Sequence, residues 1–378
     1  MSKIRNAKRK DFTKVINLIN HVFRESRGYK PTMEKEFPLL LSYNNLQNMI
    51  GFYNGDIPIS EVNFLEENIF IEGSFIKVAS IGAVCTDESY RGENYASLVL
   101  DEVENRMYKQ GVDIALISGD RSLYTRRGYM KVKDFYKYRV LPKEKIYINF
   151  DLREYKEEYL KLITEMYNLN STRYYRSYDE FKTLINSATI PWGDISYKKY
   201  VIFKDENLIG YIVLRIINEK ERYGEVVECF GNCYYIYDLL ETLERDLELE
   251  YIDYYVHIKD ERNKLDKYDE ICKDYLHGTV KIINFLKLMN DLRGYFSQYV
   301  SESVLNEIKF LKDENGYGIK IKDEIIYIKE IGKVTQLVFE GIEYHKLDYD
   351  LSNLPNIEKF LKAVFPIPFV WTKNLNYQ

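Results

Sequence analysis

Residues 81–129 read IGAVCTDESYRGENYASLVLDEVENRMYKQGVDIALISGDRSLYTRRGY. An apolar run at 81–84 gives way to a polar turn, Tyr90-Arg91-Gly92-Glu93-Asn94-Tyr95-Ala96. Apolar residues then recur at helical spacing over 97–110 (Leu98, Val99, Val103 and Met107), before a second apolar run at 114–118. Tyr124 follows, four residues before Gly128. The order predicts strand, loop, helix, strand, and a final loop presenting a phenol.

A loop entering a helix offers unpaired backbone N–H groups and the positive end of the helix dipole. Together these hold a phosphate without needing a cationic side chain. Close approach to a ligand favours Gly92 and a residue that tolerates positive φ. Asn94 is such a residue, because asparagine is the side chain best suited to the left-handed region. Arg91 can add charge-assisted contacts to a pyrophosphate, and Ala96 keeps the first helical turn slim.

Working outward, Asp11 reads as the N-cap of a helix with Val15, Ile16, Leu18, Ile19 and Val22 on its apolar face. Arg24, Glu25 and Arg27 fall in a segment placed to wall a substrate pocket. Asn54-Gly55-Asp56 signals a hairpin, and Glu72-Gly73-Ser74 a further turn. Residues 130–140 alternate as a strand, and Pro142 with Lys143-Glu144-Lys145 marks a boundary. The order of helix, hairpin, strand, helix and strand then repeats over 155–257 with little identity. Cys229–Cys233 stands where a phosphate loop would, so a second phosphate site is not expected. After Gly278 come a strand or helix lead-in at 279–289, helical pieces, and strand-like runs at 307–312, 317–321, 325–329 and 336–339. A helix at 356–365 precedes an apolar tail that includes Trp371 and Tyr377, which suggests docking against the body. The expected fold class is α/β, with mixed α+β sheets. Its divisions are 1–145, 146–277 and 278–378.

The chain has 378 residues, 46% hydrophobic and 30% charged, which fits a multi-domain globular protein. A net charge of −5 argues against a general nucleic-acid binder, whose affinity rests on phosphate neutralisation. Four cysteines are too scattered for a disulfide scaffold. Cys229 and Cys233 lack further ligands at zinc spacing, so no metal site is expected. No apolar run approaches the roughly 20 residues that span a bilayer, and the N-terminus lacks a signal-peptide core. A cytoplasmic protein without a membrane partner is expected.

With the strand, the Arg91-Gly92-Glu93-Asn94-Tyr95-Ala96 loop, the helix and the second strand in place, the stretch resembles motif A of the GNAT N-acetyltransferases. Arg91, Asn94 and Ala96 fall on that loop's Arg/Gln, first Gly and final Gly/Ala positions. The departure is Asn94, where the family has glycine. Taken over its three divisions, the chain resembles the Eis-type acetyltransferases: tandem GNAT-like domains, the second degenerate, followed by a smaller sterol-carrier-like α+β domain. The resemblance implies acetyl-CoA as co-substrate. It implies pantetheine contacts at Val84, Cys85 and Thr86, and phosphate contacts at Arg91, Gly92, Glu93, Asn94, Tyr95, Ala96 and Ser97. A pocket floor falls on Gly119 and Asp120, and the general acid on Tyr124. The terminal carboxylate of Gln378 falls on the base position, acting either as base or as an anchor for a cationic substrate. The implied acceptor is a small-molecule amine or a protein lysine, and the family leaves room for self-association.

An amine of reference pKa near 10.4 costs roughly 4–5 kcal/mol to neutralise at pH 7, so a base helps. A tyrosine, with a reference pKa of about 10, is slightly less acidic than a thiol at about 8.5, so a hydrogen bond to the leaving thiolate suffices. No covalent enzyme intermediate is needed, since a bound thioester and amine already gain from proximity. Cys85 has no histidine beside it in sequence, which argues against a thiol nucleophile. His21, His257, His277 and His345 are scattered and read as structural. A non-catalytic CoA-binding or protein/lipid-interaction scaffold is the competing reading.

Overall fold

The computed structural model describes residues 2–143, 149–260, 270–342 and 351–377. It divides into two compact units, one formed by residues up to Lys133 with His277–Phe369, the other by Asp134–Leu276 with Val370–Tyr377. The segment after Gly278 therefore belongs for the most part to the same compact unit as the N-terminal segment.

In the first unit, strands β1 (Ser2–Asn6), β2 (Met49–Asn54), β3 (Ile57–Ile71), β4 (Ser74–Thr86) and β5 (Ile114–Ile117) lie side by side in that order. The two predicted turns form as read. Gly55 joins β2 to β3 at φ +60°, and Glu72 with Gly73 joins β3 to β4 at φ +41° and +95°. Helix α1 (Phe12–Phe23) packs Val15, Ile16, Leu18 and Ile19 onto one sheet face, against Met49, Tyr53 and Cys85. The short helix α2 (Met33–Glu36) joins the same face through Met33. Asp11 precedes α1 but does not cap it. Its carboxylate accepts instead from the Arg5 guanidinium at 2.6 Å and the Lys8 N–H at 2.9 Å. Helix α3 (Tyr95–Lys109) covers the opposite face with Val99, Leu100, Val103 and Met107. The short helix α4 (Ser122–Thr125) carries Tyr124 into that same cluster.

The second unit holds β6 (Phe135–Val140), β7 (Asp151–Glu154), the short strand β8 (Thr172–Tyr174), β9 (Ile195–Lys204), β10 (Asn207–Asn218), β11 (Arg222–Gly231), β12 (Ile252–His257) and β13 (Glu270–Asp274). Apart from β8, they form one sheet in the order β13-β6-β12-β11-β10-β9-β7. Helices α5 (Leu160–Asn168), α6 (Tyr178–Ser187) and α7 (Cys233–Asp246) accompany it. Ser177 and Glu180 cap α6 reciprocally: Glu180 N–H donates to Ser177 Oγ at 3.2 Å, and Ser177 N–H donates to the Glu180 carboxylate at 2.7 Å. A single residue, Asn232, separates β11 from α7, so no loop long enough to cradle a pyrophosphate exists there.

One strand differs from the sequence expectation in its partner. The strand at 130–140 reads as closing the first sheet, but β6 pairs with β12 and β13 in the second. Its alternation identifies a half-buried strand and says nothing about which edge it joins. The first sheet is completed instead by β14 (Thr279–Ile282), antiparallel to β5.

The remainder of the first unit comprises α8 (Phe285–Asp291), α9 (Arg293–Phe296), α10 (Glu302–Glu307), α11 (Ile331–Glu340), α12 (Pro355–Val364) and a sheet of β15 (Ile308–Asp313), β16 (Gly316–Ile321) and β17 (Glu324–Ile328). The expected strand at 336–339 is the end of α11. Val334, Leu337 and Val338 are buried at helical spacing, a period that a four-residue apolar window hides. No described helix is long and apolar enough to cross a membrane.

Candidate acyl-transfer site

The site grows from a defect in the first sheet. Glu61 pairs with Cys85 and Asn63 with Gly82, so two residues of β4, Ala83 and Val84, stand opposite one residue of β3, Val62. This is a β-bulge, and Ala83 carries its strain at φ +51°, a region where non-glycine residues are uncommon. The parallel pairing of β4 with β5 ends at Ile81 and Ile117, just before the bulge. Beyond it, β4 continues through Val84, Cys85 and Thr86 while β5 has stopped. The two strands thus part where a pantetheine arm would need strand-like backbone partners. On the β3 side the segment is fixed: Ser60 Oγ donates to the Cys85 carbonyl at 3.0 Å and lies 2.8 Å from Thr86 Oγ1.

The loop behaves as its residues require. Asp87 accepts from Ser89 N–H at 2.9 Å and closes a short turn ending at Tyr90. Gly92 adopts φ +89° and Asn94 φ +62°, ψ +13°, the left-handed conformation expected of asparagine there. Arg91, Gly92, Glu93 and Asn94 are exposed, and no side chain caps the start of α3. The first-turn N–H groups are therefore available to an anion. Tyr95 anchors the turn by packing on Phe52, ring centroids 4.3 Å apart. The Ser97 carbonyl accepts from Arg127 at 2.7 Å, which ties the helix start to the segment after Tyr124.

The left-handed residue gives a direct test. Asn94→Gly is expected to leave CoA affinity within about twofold, because glycine enters this conformation without steric cost. Asn94→Val faces roughly 1–2 kcal/mol of strain, and CoA binding should weaken by about 5–30-fold in calorimetry. Equal affinities for the two variants would remove the loop geometry from the binding argument.

Tyr124 is buried, with its ring 6.3 Å edge-on from Tyr129. A Cβ at Gly119 would fall 3.0 Å from the Tyr124 ring, so the glycine lets the phenol lie against the backbone. The Gly119 carbonyl is itself held by Thr279 Oγ1 at 2.9 Å. Burial raises the phenol above its ordinary value, with Arg121 pulling weakly the other way. Such a group stays protonated and suits hydrogen-bond donation. Val84 packs against the cluster that contains Tyr124, Ile81 and Ile117.

Asp120 follows β5 at the protein surface. It is exposed and pairs with Lys131 at 3.1 Å, which lowers its pKa. The Cys85 thiol is buried, and burial with the neighbouring Glu61 charge raises its pKa, as a structural thiol requires. Arg24 is buried too, donating to both Glu36 oxygens at 3.0 and 2.5 Å. It braces α1 against α2. Glu25 is exposed beside His21. Gln378 lies outside the described residues. Among those residues there is no cluster of three His, Cys, Asp or Glu side chains able to hold a metal.

Sequence reading passed over Glu61 and Tyr53, which lie on the α1 face behind the bulge and are wholly buried. A signal was present: along β3 the alternation puts Glu61 and Asn63 on the same face as Leu65, which packs with the amphipathic helix α1.

Residues 3–132 match the family described as "Acetyltransferase (GNAT) domain". Over that segment, about a third of the chain, the protein carries a GNAT-type acetyltransferase domain. It is similar in structure to a GCN5-related N-acetyltransferase from Anabaena variabilis, with a TM-score of 0.67 at 11% identity, over 98% of this chain and 99% of that one. A probable N-acyltransferase from Enterococcus faecalis gives 0.62 at 15% identity, over 89% and 90% of the two chains. Eis1 from Mycobacterium abscessus gives 0.49 at 14% identity, over 75% and 74%. The whole-chain likeness rests on the first two and concerns the fold. No curated protein matches the chain in sequence.

Proposed function

We propose that the protein transfers the acetyl group of acetyl-CoA to a primary amine by direct attack, in the manner of the Eis-type enzymes. The observation that carries this reading is the pairing of an uncapped α3 N-terminus, entered through left-handed Asn94, with a β4 strand that outruns β5 past a bulge. The loop Arg91–Ser97 would hold the pyrophosphate, and Val84, Cys85 and Thr86 the pantetheine amides. Gly119 and Asp120 lie at the mouth beyond β5, Asp120 at its exposed rim. Tyr124 donates a hydrogen bond to the sulfur as the C–S bond breaks. The carboxylate of Gln378 serves as base or as an anchor for a cationic acceptor. The acceptor is a small amine or a protein lysine, and the setting is cytoplasmic.

On this reading the sequence modules are a catalytic GNAT domain at 1–145, a degenerate GNAT-like domain at 146–277 and a sterol-carrier-like domain at 278–378. The test is calorimetry of the full chain with acetyl-CoA, followed by a thiol-release screen across polyamines, aminoglycosides and lysine peptides. One-to-one binding and turnover with at least one amine are expected. A chain that binds no acetyl-CoA defeats the proposal. Residues added after Gln378 should impair turnover, and full activity with such a tail would remove the terminal carboxylate from its role.

A further inference from the structure

Behind the β4 bulge, four buried polar atoms make no well-formed hydrogen bond among the described residues: Tyr53 Oη, both carboxyl oxygens of Glu61, and Asn63 Oδ1; the Tyr53 hydroxyl nevertheless lies close enough to the Glu61 carboxyl to lower its pKa. All three residues are wholly buried. Glu61 stands in a row that crosses four strands, Arg5 opposite Gly51, Gly51 opposite Glu61, and Glu61 opposite Cys85. A Cβ on Gly51 would come within 2.0 Å of Glu61 Oε1, so the missing side chain there is what makes room for the carboxyl. Asn63, two residues along the same face, donates through Nδ2 to the carbonyl of Ala83 in the bulge itself, at 3.4 Å.

The groups around Glu61 are few. Arg5 faces it from β1 but is occupied by Asp11 at 2.6 Å, and its guanidinium lies 3.6 Å over the Tyr53 ring. Tyr53 faces it from β2 and Cys85 from β4, while α1 contributes apolar side chains, Val15 and Ile19 among them. Burial pushes the Glu61 carboxyl up to about 8, against the lowering influence of Tyr53 and Arg5, with Asp11 adding to the rise. A carboxyl inside a sheet with no partner beyond the Tyr53 hydroxyl is costly, and a chain that keeps one needs a reason. Buried water makes two to four hydrogen bonds to such groups, and the polar atoms here can supply them.

We infer that Glu61, with Tyr53 and Asn63, forms a buried proton relay behind the β4 bulge that takes up the proton an acceptor amine must lose before attack. This rests on the acetyltransferase reading above. The ammonium gives one proton through bridging water, which Asn63 Oδ1 can help to hold by accepting a hydrogen bond, to the Glu61 carboxylate. The freed nitrogen lone pair forms the N–C bond, the C–S bond breaks, and its electron pair leaves on sulfur. The second nitrogen proton ends on that sulfur with the help of Tyr124, giving the free thiol. Glu61 then releases its proton to solvent. Gln378 becomes the anchor rather than the base. Glu61 thus serves as the proton acceptor at a distance, reached through water and not by contact with the amine.

The experiment uses Glu61→Gln and Glu61→Asp in the full chain, with rates from pH 5.5 to 9.5 and acetyl-CoA affinity by calorimetry. In the wild type kcat should rise with pH through a midpoint near 8. In Glu61→Gln that limb should vanish and kcat should drop about 10²-fold, with acetyl-CoA affinity and amine KM within about threefold. Glu61→Asp should recover part of the limb. A Glu61→Gln enzyme that keeps the limb, or a wild type that turns over without one, overturns the relay. Thermal melts give a separate check. A carboxyl raised in the folded state makes stability fall as pH rises from about 4.5 to about 8, and Glu61→Gln should lack that fall. Identical melting profiles for the two proteins overturn the buried acid whatever the activity. A wild type that binds no acetyl-CoA defeats the acetyltransferase reading instead.

Discussion

Replacing Tyr124 by phenylalanine is expected to lower acetyl-transfer turnover by about 10²-fold and leave acetyl-CoA affinity close to that of the wild type. The expectation rests on the proposed acetyl transfer and on how the residue is held. The ring packs against Tyr129 and the Gly119 backbone, contacts that phenylalanine keeps. What is lost is one oxygen. Its only proposed partner is the sulfur that gains charge as the thioester breaks. An interaction made chiefly in the transition state appears in kcat and not in ground-state binding. Removing one donor of this kind typically costs about 10²–10³ in rate. The measurement pairs initial rates with acetyl-CoA calorimetry. Unchanged turnover would take Tyr124 out of the chemistry, and weakened binding with unchanged kcat would make it a packing residue.

The second large effect is on stability and lies in the other unit. Arg176 donates to both oxygens of Glu228, at 2.9 and 2.7 Å, and its Nε donates to Asn376 at 2.7 Å. Tyr211 donates to the same carboxylate at 2.8 Å, and the guanidinium lies 4.4 Å over the Tyr167 ring. Both charged side chains are almost wholly buried, at 1% and 2% exposure, so solvent screens little of their interaction. Arg176→Met should therefore cost about 3–5 kcal/mol, because it leaves Glu228 charged and unpaired in the core. Arg176→Met with Glu228→Gln should regain much of that loss, since a neutral amide can still accept from Tyr211. Urea denaturation of the single and double variants measures both. A single variant within 1 kcal/mol of the wild type would show that the core relaxes around the charge.

This ion pair occupies a telling position. Val213 pairs with Glu228 and Leu214 with Val226, so β11 bulges at Val227 much as β4 bulges at Ala83–Val84. The two units share bulge, helix and parallel strand, yet the polar group beside the second bulge is fully paired, while Glu61 beside the first is not. The same defect has been closed in one unit and left with orphaned polar atoms in the other.

The sequence by itself determined whatever depends on neighbours along the chain. Gly92 and Asn94 announce a turn with positive φ, Leu98, Val99, Val103 and Met107 announce one helical face, and Asn54-Gly55 announces a hairpin. Each rests on the local conformational preference of a few residues, and each formed. The tertiary structure decided what depends on partners far away. The alternation in β6 is the same whichever sheet receives it, and pairing across more than a hundred residues with β12 places it in the second. The period of α11 emerged only once a core lay beneath Val334, Leu337 and Val338. Glu61 reads in isolation as an ordinary polar position on a strand. It becomes a buried acid with a raised pKa because Gly51 stands opposite it and α1 closes over that face, and neither neighbour is local to β3.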